Sequence, residues 1–188
     1  MSASRFRIDQ PPLHGLRVLT RKPIGDERGF LERLFCTSDL VEVLNGSSIQ
    51  QINRTLTSQK GTVRGLHYQR TPHAEKKIIS CLRGEVFDVA VDLRRDSDTY
   101  LQWHAERLSE SNHRMFVIPE GFAHGFQTLT ENCELLYFHT QPHAPAFEGG
   151  IHAQDPHLSI TWPLEISCLS ERDRSLPVHD DNNRRTVP

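Results

Sequence analysis

The sequence predicts an all-β protein built as a β-sandwich or a small barrel. Apolar and polar residues alternate with a period of two in several short segments, turn-forming residues separate these segments, and helical patterns are scarce. Because strand and helix segments do not alternate, we expect packed antiparallel sheets rather than a parallel sheet covered by helices.

The predicted strands share the period of two and are bounded by turn signals. They lie in GLRVLTRKPI (15–24), GFLERLF (29–35), EVFDVAVDLR (85–94), LQWHAERLSE (101–110), MFVIPEGF (115–122) and ELLYFHT (134–140). In the clearest of them, residues 85–94, one face is apolar and the other carries Asp88 and Asp92. A single short helix is expected in DLVEVL (39–44), with Ser38 as N-cap and Asn45-Gly46 as its end.

Length and composition describe one ordinary globular domain. The 188 residues are enough for one core, and we expect a single domain over 1–188 whose last ten polar residues are frayed. The net charge of −2 gives no general attraction to nucleic acid or to membranes, so an anionic ligand needs a local cluster of cations. Four scattered cysteines and the lack of a long apolar run predict free thiols and a cytoplasmic protein.

Two histidine-containing segments are the candidates for function: GTVRGLHYQRTPHAEKK (61–77) and PEGFAHGF (119–126). The second has the Pro-x-Gly-x-x-His turn typical of cupin barrels and could supply one histidine of a metal site. A metal site also needs further ligands on neighbouring strands, often as an His-x-His pair, and His67 is followed by Tyr68-Gln69 instead. The sequence therefore favours a site without metal.

Acid–base chemistry is the second hypothesis for these histidines. A histidine held by a carboxylate takes up a proton near neutral pH, and a neighbouring lysine or second histidine can stabilise an enolate oxygen. His67 is the candidate base, Lys77 and His124 are candidate oxyanion partners, and Arg64 or Arg28 could bind a phosphate.

The order of several motifs resembles the dTDP-4-dehydrorhamnose 3,5-epimerase family. The matching segments are DERGFLERLF, GTVRGLHYQ, EKKIIS, GEVFDVAVDLRRDSDTY, SNHRMFVIPEGFAHGF, DPHLSITWP and LSERD, which span about residues 15–173. The resemblance implies a cupin-type β-jelly roll, a homodimer, no metal and no organic cofactor. It also implies a nucleotide-diphosphate sugar as substrate, namely a 4-keto-6-deoxyhexose that is epimerised at C3, C5 or both.

The resemblance also implies a role for individual residues. His67 matches the general base, Asp173 the carboxylate that pairs with it, Lys77 the lysine that faces the 4-keto oxygen, and His124 a polarising histidine of the same cavity. The implied substrate-binding positions are Arg28 and Arg64 for the diphosphate, Phe30 for the base, and Gln51, Asn53 and Glu148 for polar contacts.

The chain departs from the family pattern at one mechanistic position. The family places a tyrosine, the acid for the opposite face of the sugar, in a Tyr-x-Pro-x-x-Glu segment, and His143 stands there in QPHAPAFEGG. His143 could be the acid, the enzyme could epimerise one carbon only, or the sugar could differ. A nucleotide-sugar 3,4-ketoisomerase and a catalytically silent cupin that binds nucleotide sugar are the alternatives.

Overall fold

The computed structural model describes residues 4–180. Within them the chain forms thirteen strands, two four-residue α-helices, α1 (Val41–Leu44) and α2 (Glu171–Arg174), and a 3₁₀ turn (Pro145–Phe147). The strands are β1 (Phe6–Asp9), β2 (Arg17–Arg21), β3 (Ile24–Asp26), β4 (Gly29–Leu31), β5 (Gln51–Thr57), β6 (Val63–Gln69), β7 (Lys77–Arg83), β8 (Glu85–Asp92), β9 (Trp103–Ser109), β10 (Arg114–Ile118), β11 (Phe122–Thr128), β12 (Cys133–His139) and β13 (Glu148–Gly150). The all-β prediction is confirmed.

Eleven strands form two antiparallel sheets, and β3 and β4 form a separate hairpin. The six-stranded sheet has the order β1-β2-β10-β7-β12-β5, and the five-stranded sheet has the order β13-β6-β11-β8-β9. Neighbours within a sheet are mostly not consecutive in sequence, so the chain crosses repeatedly between the sheets. Two facing antiparallel sheets connected in this way form a jelly roll, as expected for a cupin-type fold.

The inner faces of the two sheets enclose one apolar core. Ile79 and Phe116 of the six-stranded sheet belong to the same buried cluster as Val86, Leu108 and Phe126 of the five-stranded sheet. Burial of each such side chain contributes about 1.5–3 kcal/mol, so this cluster holds the sheets together. Phe126 also lines a polar cavity, which therefore adjoins the core between the sheets.

The outer face of each sheet is covered as well. Val43 and Leu44 of α1 pack with Met115 and Phe138 on the six-stranded sheet. On the five-stranded sheet, the segment after β13 supplies Ile151 and Leu158, which pack with Val89 and Val91 of β8. Strand β8 is thus buried on both sides, and the face that carries Asp88 is the one directed toward the inside of the barrel.

Several elements differ from the sequence-based prediction. Strands β5, β6, β7 and β11 supply most of the cavity lining, and of these only part of β11 was expected. On β5 and β6, polar side chains that line the cavity interrupt the apolar alternation. Helix α1 ends as predicted at Asn45, which is left-handed with φ 47°, but it begins at Val41 after Leu40, so Ser38 is not its N-cap.

The ends of the chain and the cysteines complete the fold. His179, the first of the ten residues predicted to be frayed, is buried and its N–H donates to Asp155; residues 181–188 lie outside the described range.

All four cysteines are free thiols, with Cys81 and Cys133 buried. Among the described residues, no helix has the length and apolar character needed to cross a membrane.

Candidate active site

One open cavity between the two sheets collects most of the predicted site residues. Its lining consists of Gln51, Asn53, Thr55, Arg64, His67, Tyr68, Gln69, Glu75, Lys77, His124, Phe126, Tyr137, His139, His143 and Glu148. Strands β6 and β11 form one wall, and β5, β12 and the start of β7 form the opposite wall. The walls are therefore rigid sheet positions, which hold side chains more precisely than loops do.

His67 and Asp173 form a close pair, as the resemblance implies. His67 Nε2 lies 2.7 Å from Asp173 Oδ1, while Asp173 Oδ2 accepts the backbone N–H of Gly65 at 3.3 Å. Burial alone would raise the pKa of Asp173, but the hydrogen bonds from His67 and Gly65 outweigh it and lower this pKa. Asp173 is thus a carboxylate that orients the His67 ring. It contacts Nε2 of that ring and not Nδ1.

Ser170 and α2 bring Asp173 to this position. The Ser170 side chain accepts the N–H of Asp173 and caps the helix, whose buried residue is Asp173. The motif LSERD therefore folds as a cap plus one helical turn, and its last residue reaches β6.

The glycine of RGLH allows the two strands behind His67 to approach closely. Gly65 has φ +120°, and a Cβ there would lie 2.6 Å from Gly125 Cα and 2.7 Å from the carbonyl oxygen of His124. The pairing of β6 with β11 shifts register at this point, between His124 and Phe126. Only glycine fits this backbone at position 65, and Gly125 opposite is crowded too, because a Cβ there would lie 2.7 Å from the carbonyl oxygen of Arg64.

A second histidine–carboxylate pair lies beside the first. His124 is the Cα partner of His67 across the strand pair, and its Nε2 lies 2.7 Å from Asp88 Oδ1 on β8. Both side chains are almost fully buried, at 7% and 0% exposure. Burial raises the pKa of Asp88, while His124 and Lys77 favour the carboxylate. This pair fixes the His124 ring inside the cavity.

A third pair occupies the opposite wall, next to Lys77. His139 Nδ1 lies 2.7 Å from Glu75 Oε2, and Glu75 Oε1 lies 3.3 Å from Lys77 Nζ. Burial opposes the charge of Glu75, but the hydrogen bond from His139 and the charge of Lys77 lower its pKa. The Lys77 ammonium also lies 3.5 Å from the carbonyl oxygen of His67, so it spans the space between the two walls.

His143 lies at the mouth of the cavity, on the loop after β12. Its side chain is 54% exposed, and Nε2 lies 3.3 Å from Glu148, whose other oxygen is 2.6 Å from Arg172. The loop is held by two glutamines, because Gln51 accepts the N–H of His143 and Gln69 accepts the N–H of Ala144.

The structure does not bring all the predicted residues together. Arg64 and Asn53 line the cavity, with Asn53 Nδ2 3.4 Å from His139 Nε2. Arg28 and Phe30, in contrast, lie on the β3–β4 hairpin, outside the cavity of their own chain. Arg28 pairs with Asp26 at 2.5 Å and its side chain is 84% exposed.

Three site residues were missed by the sequence reasoning. The sequence placed Asp88 on one face of a strand but did not show that this face is directed toward the inside of the barrel. Glu75 and His139 were not considered. The spacing Glu75-x-Lys77 places both side chains on the same side of an extended segment, which is the signal that could have identified Glu75. In residues 4–180 no cluster of three or more His, Cys, Asp or Glu side chains is arranged to hold a metal.

Comparison with known proteins identifies relatives along almost the whole chain. Residues 10–181 match the family model described as dTDP-4-dehydrorhamnose 3,5-epimerase. The chain is 44% identical to the dTDP-4-dehydrorhamnose 3,5-epimerase of Pseudomonas aeruginosa, with 93% of each chain covered. It is 34% identical to a dTDP-4-dehydrorhamnose 3-epimerase of Streptomyces niveus, covering 90% of this chain and 82% of the relative.

A solved structure shares the architecture. The dTDP-6-deoxy-D-glucose-3,5-epimerase of Legionella pneumophila, in complex with dTDP-4-keto-L-rhamnose, superposes with a TM-score of 0.91 at 39% identity, with 97% of each chain covered.

Proposed function

This chain belongs to the dTDP-4-dehydrorhamnose 3,5-epimerase family. From this premise we propose how its residues invert the configuration of carbons in a dTDP-linked 4-keto-6-deoxyhexose. The protein is an isomerase of this family. In the reaction that we propose, loss of the proton at C3, C5 or both gives an enolate. The observation that carries the proposal is the convergence of the His67–Asp173 pair, Lys77 and His124 on one cavity.

His67 is the base. Asp173 occupies Nε2 and fixes the tautomer, so Nδ1 takes the proton from the carbon next to the keto group. The carboxylate then stabilises the imidazolium that forms, as in a catalytic triad. Because the His67 side chain is 27% exposed, its proton can exchange with solvent between turnovers.

Lys77 and His124 stabilise the enolate oxygen. The Lys77 ammonium is held between Glu75 and the His67 carbonyl, and His124 is locked by Asp88, so neither group reorganises when the negative charge develops. Fixed donors in a site of low dielectric are the largest single contribution to many such reactions.

The nucleotide is bound toward the open side of the cavity. The exposed guanidinium of Arg64 is suited to the diphosphate, and Gln51, Asn53 and Glu148 supply polar contacts on the surrounding walls. No organic cofactor or metal takes part in these steps as we propose them, because the base, the oxyanion partners and the phosphate ligand are all side chains.

A homodimer would supply the missing substrate contacts. The hairpin that carries Arg28 and Phe30 exposes apolar side chains, with Phe30 at 69% and Leu31 at 71%. The outer strand β5, beside the cavity, exposes Ile52 and Leu56 at 56% and 52%. Such apolar surface is typical of protein contacts, and we propose that each hairpin reaches the cavity of the partner copy.

Complementation tests the dimer. Arg28→Ala and His67→Asn variants should each be inactive alone, whereas their co-expressed heterodimer has one site with both residues intact and should regain activity. A mixture that remains inactive, although sedimentation shows a dimer, would mean that the hairpin serves its own chain.

A reducing compartment such as the cytoplasm is proposed on the basis of the thiols. Cys81 and Cys133 are free and buried, and burial raises the pKa of Cys81 to about 12, so it stays a protonated, unreactive thiol.

Product analysis tests the activity. With dTDP-4-keto-6-deoxyglucose, NMR should show a 4-keto product inverted at C3, C5 or both. Inversion at one carbon would identify a mono-epimerase, like the 3-epimerase relative. A 3-keto product would reveal a ketoisomerase, and binding without conversion a silent cupin; either result would contradict the proposal.

A further inference from the structure

The reaction needs a proton donor on the face of the sugar opposite His67, and the structure contains a candidate other than His143. Three histidine–carboxylate pairs of the cavity are held at 2.7 Å, and the mechanism above uses His67–Asp173 and His124–Asp88 but not His139–Glu75. His139 lines the cavity with a side chain that is only 13% exposed.

His139 and His67 lie on opposite walls. His67 is on β6 of the five-stranded sheet, whereas His139 is on β12 of the six-stranded sheet. There the Cα partners of His139 are Gln51 and Lys77, both of which face the cavity. A sugar ring bound between the sheets therefore has His67 on one side and His139, next to Lys77, on the other.

The ring of His139 is oriented for proton transfer. Its Nδ1–H donates to Glu75, a carboxylate whose pKa is lowered, and this leaves Nε2 to carry the exchangeable proton. Nε2 lies 3.4 Å from the side-chain amide of Asn53, which can rotate to donate to the neutral ring or accept from the charged one. The charged and titratable groups around the ring are Glu75, Lys77 and the stacked Tyr137.

His143 is the weaker candidate on geometry. Its side chain is 54% exposed at the mouth, and its contact with Glu148, at 3.3 Å, is longer than the 2.6 Å contact of Arg172 with the same carboxylate. Glu75 also has two partners, but it is closer to His139, at 2.7 Å, than to Lys77, at 3.3 Å. A group so open to water exchanges its proton freely and has no fixed direction into the cavity, whereas His139 is enclosed and held at 2.7 Å by one carboxylate.

We propose that His139, positioned by Glu75, is the acid that protonates the enolate on the face opposite His67. The inference rests on the proposed epimerase function. The C–H bond breaks as its proton moves to His67 Nδ1 and its electron pair enters the enolate. A new C–H bond then forms with the proton of His139 Nε2; His67 loses its proton to water and His139 takes one up.

The ratio of inversion to exchange in deuterated water tests this assignment. Without the acid, His67 still removes the proton and returns deuterium to the same face, so exchange continues while inversion stops. His139→Gln should lower inversion on the order of 10²-fold relative to exchange, the usual contribution of a general acid. His143→Gln, the matched control at the mouth, should keep the wild-type ratio.

Glu75→Gln provides a second measurement, because it keeps the side-chain volume and removes the charge that holds His139. The same carboxylate lies 3.3 Å from Lys77, but a weakened enolate partner slows exchange and inversion alike, so the ratio of the two reports on His139. It should lower the same ratio, and it carries the test if His139→Gln does not fold by circular dichroism. A wild-type ratio in these variants, equal loss of exchange and inversion in a folded protein, or a lowered ratio in His143→Gln would each overturn the assignment. Absence of exchange by the wild-type enzyme would instead refute the proposed function.

Discussion

Replacement of Asp173 by asparagine isolates what the carboxylate does for His67. In wild type, Oδ1 faces His67 Nε2 at 2.7 Å and Oδ2 accepts the Gly65 N–H at 3.3 Å, so both oxygens are acceptors. An amide has one acceptor and one donor. If its NH₂ group faces His67, Nε2 must accept, the ring proton moves to Nδ1, and the base is blocked.

The magnitude follows from the hydrogen bonds involved. The productive tautomer needs the amide oxygen toward His67, which leaves the buried Gly65 N–H against an NH₂ group at a cost of about 1–3 kcal/mol. The imidazolium also loses a charge-assisted hydrogen bond, worth about 1.5–3 kcal/mol. At 1.36 kcal/mol per factor of ten, the sum predicts a loss in kcat on the order of 10²–10⁴-fold.

Steady-state kinetics with the dTDP-4-keto sugar provide the assay. We expect kcat to fall by this factor in Asp173→Asn while nucleotide affinity is retained. Asp92→Asn, the same change at a buried carboxylate outside the cavity, is the control and should leave kcat unchanged. A kcat for Asp173→Asn equal to that of this control would refute the assigned role of Asp173.

Three further predictions concern charge, backbone and pH. Lys77→Met should lower kcat on the order of 10²–10³-fold, as loss of an oxyanion donor does, with little change in KM; an effect on KM alone would contradict its role. Gly65→Ala should lower the free energy of unfolding by about 1–3 kcal/mol more than Gly46→Ala, because both glycines have positive φ but only a Cβ at Gly65 would meet close neighbours. Equal urea midpoints for the two variants would show that the close approach at Gly65 has no such cost. Burial alone would raise the pKa of Asp92, but hydrogen bonds from Arg94, Ser97 and Thr99 lower it to about 2. The ionised Asp92 therefore stabilises the folded state fully above pH 4, and this contribution is lost as pH falls toward 2. Asp92→Asn should therefore show a smaller drop in urea midpoint between pH 6 and pH 2 than wild type. Equal drops in the two proteins would contradict this role of Asp92.

The fold class was accessible from the sequence because strand alternation survives wherever one face of a strand is apolar. It fails on β6, where VRGLHYQ mixes core residues with ligands and with a glycine that permits the close approach to Gly125. Segments that carry function therefore obscure their own secondary structure.

The site was accessible only in part. The motifs located His67, Lys77 and His124, and the resemblance at LSERD located Asp173. The pairing of Asp88 with His124 and of Glu75 with His139, in contrast, depends on strand register and chain crossings that no local pattern encodes. Asp88 meets His124 because β8 pairs with β11, and His139 meets Glu75 because β12 pairs with β7.

Solvent-deuterium incorporation by His67→Asn tests most directly whether His67 removes the substrate proton. The variant should bind the nucleotide sugar as wild type does and incorporate no deuterium at C3 or C5. Incorporation at the wild-type rate would show that another group is the base, and would contradict the mechanism proposed for this cavity.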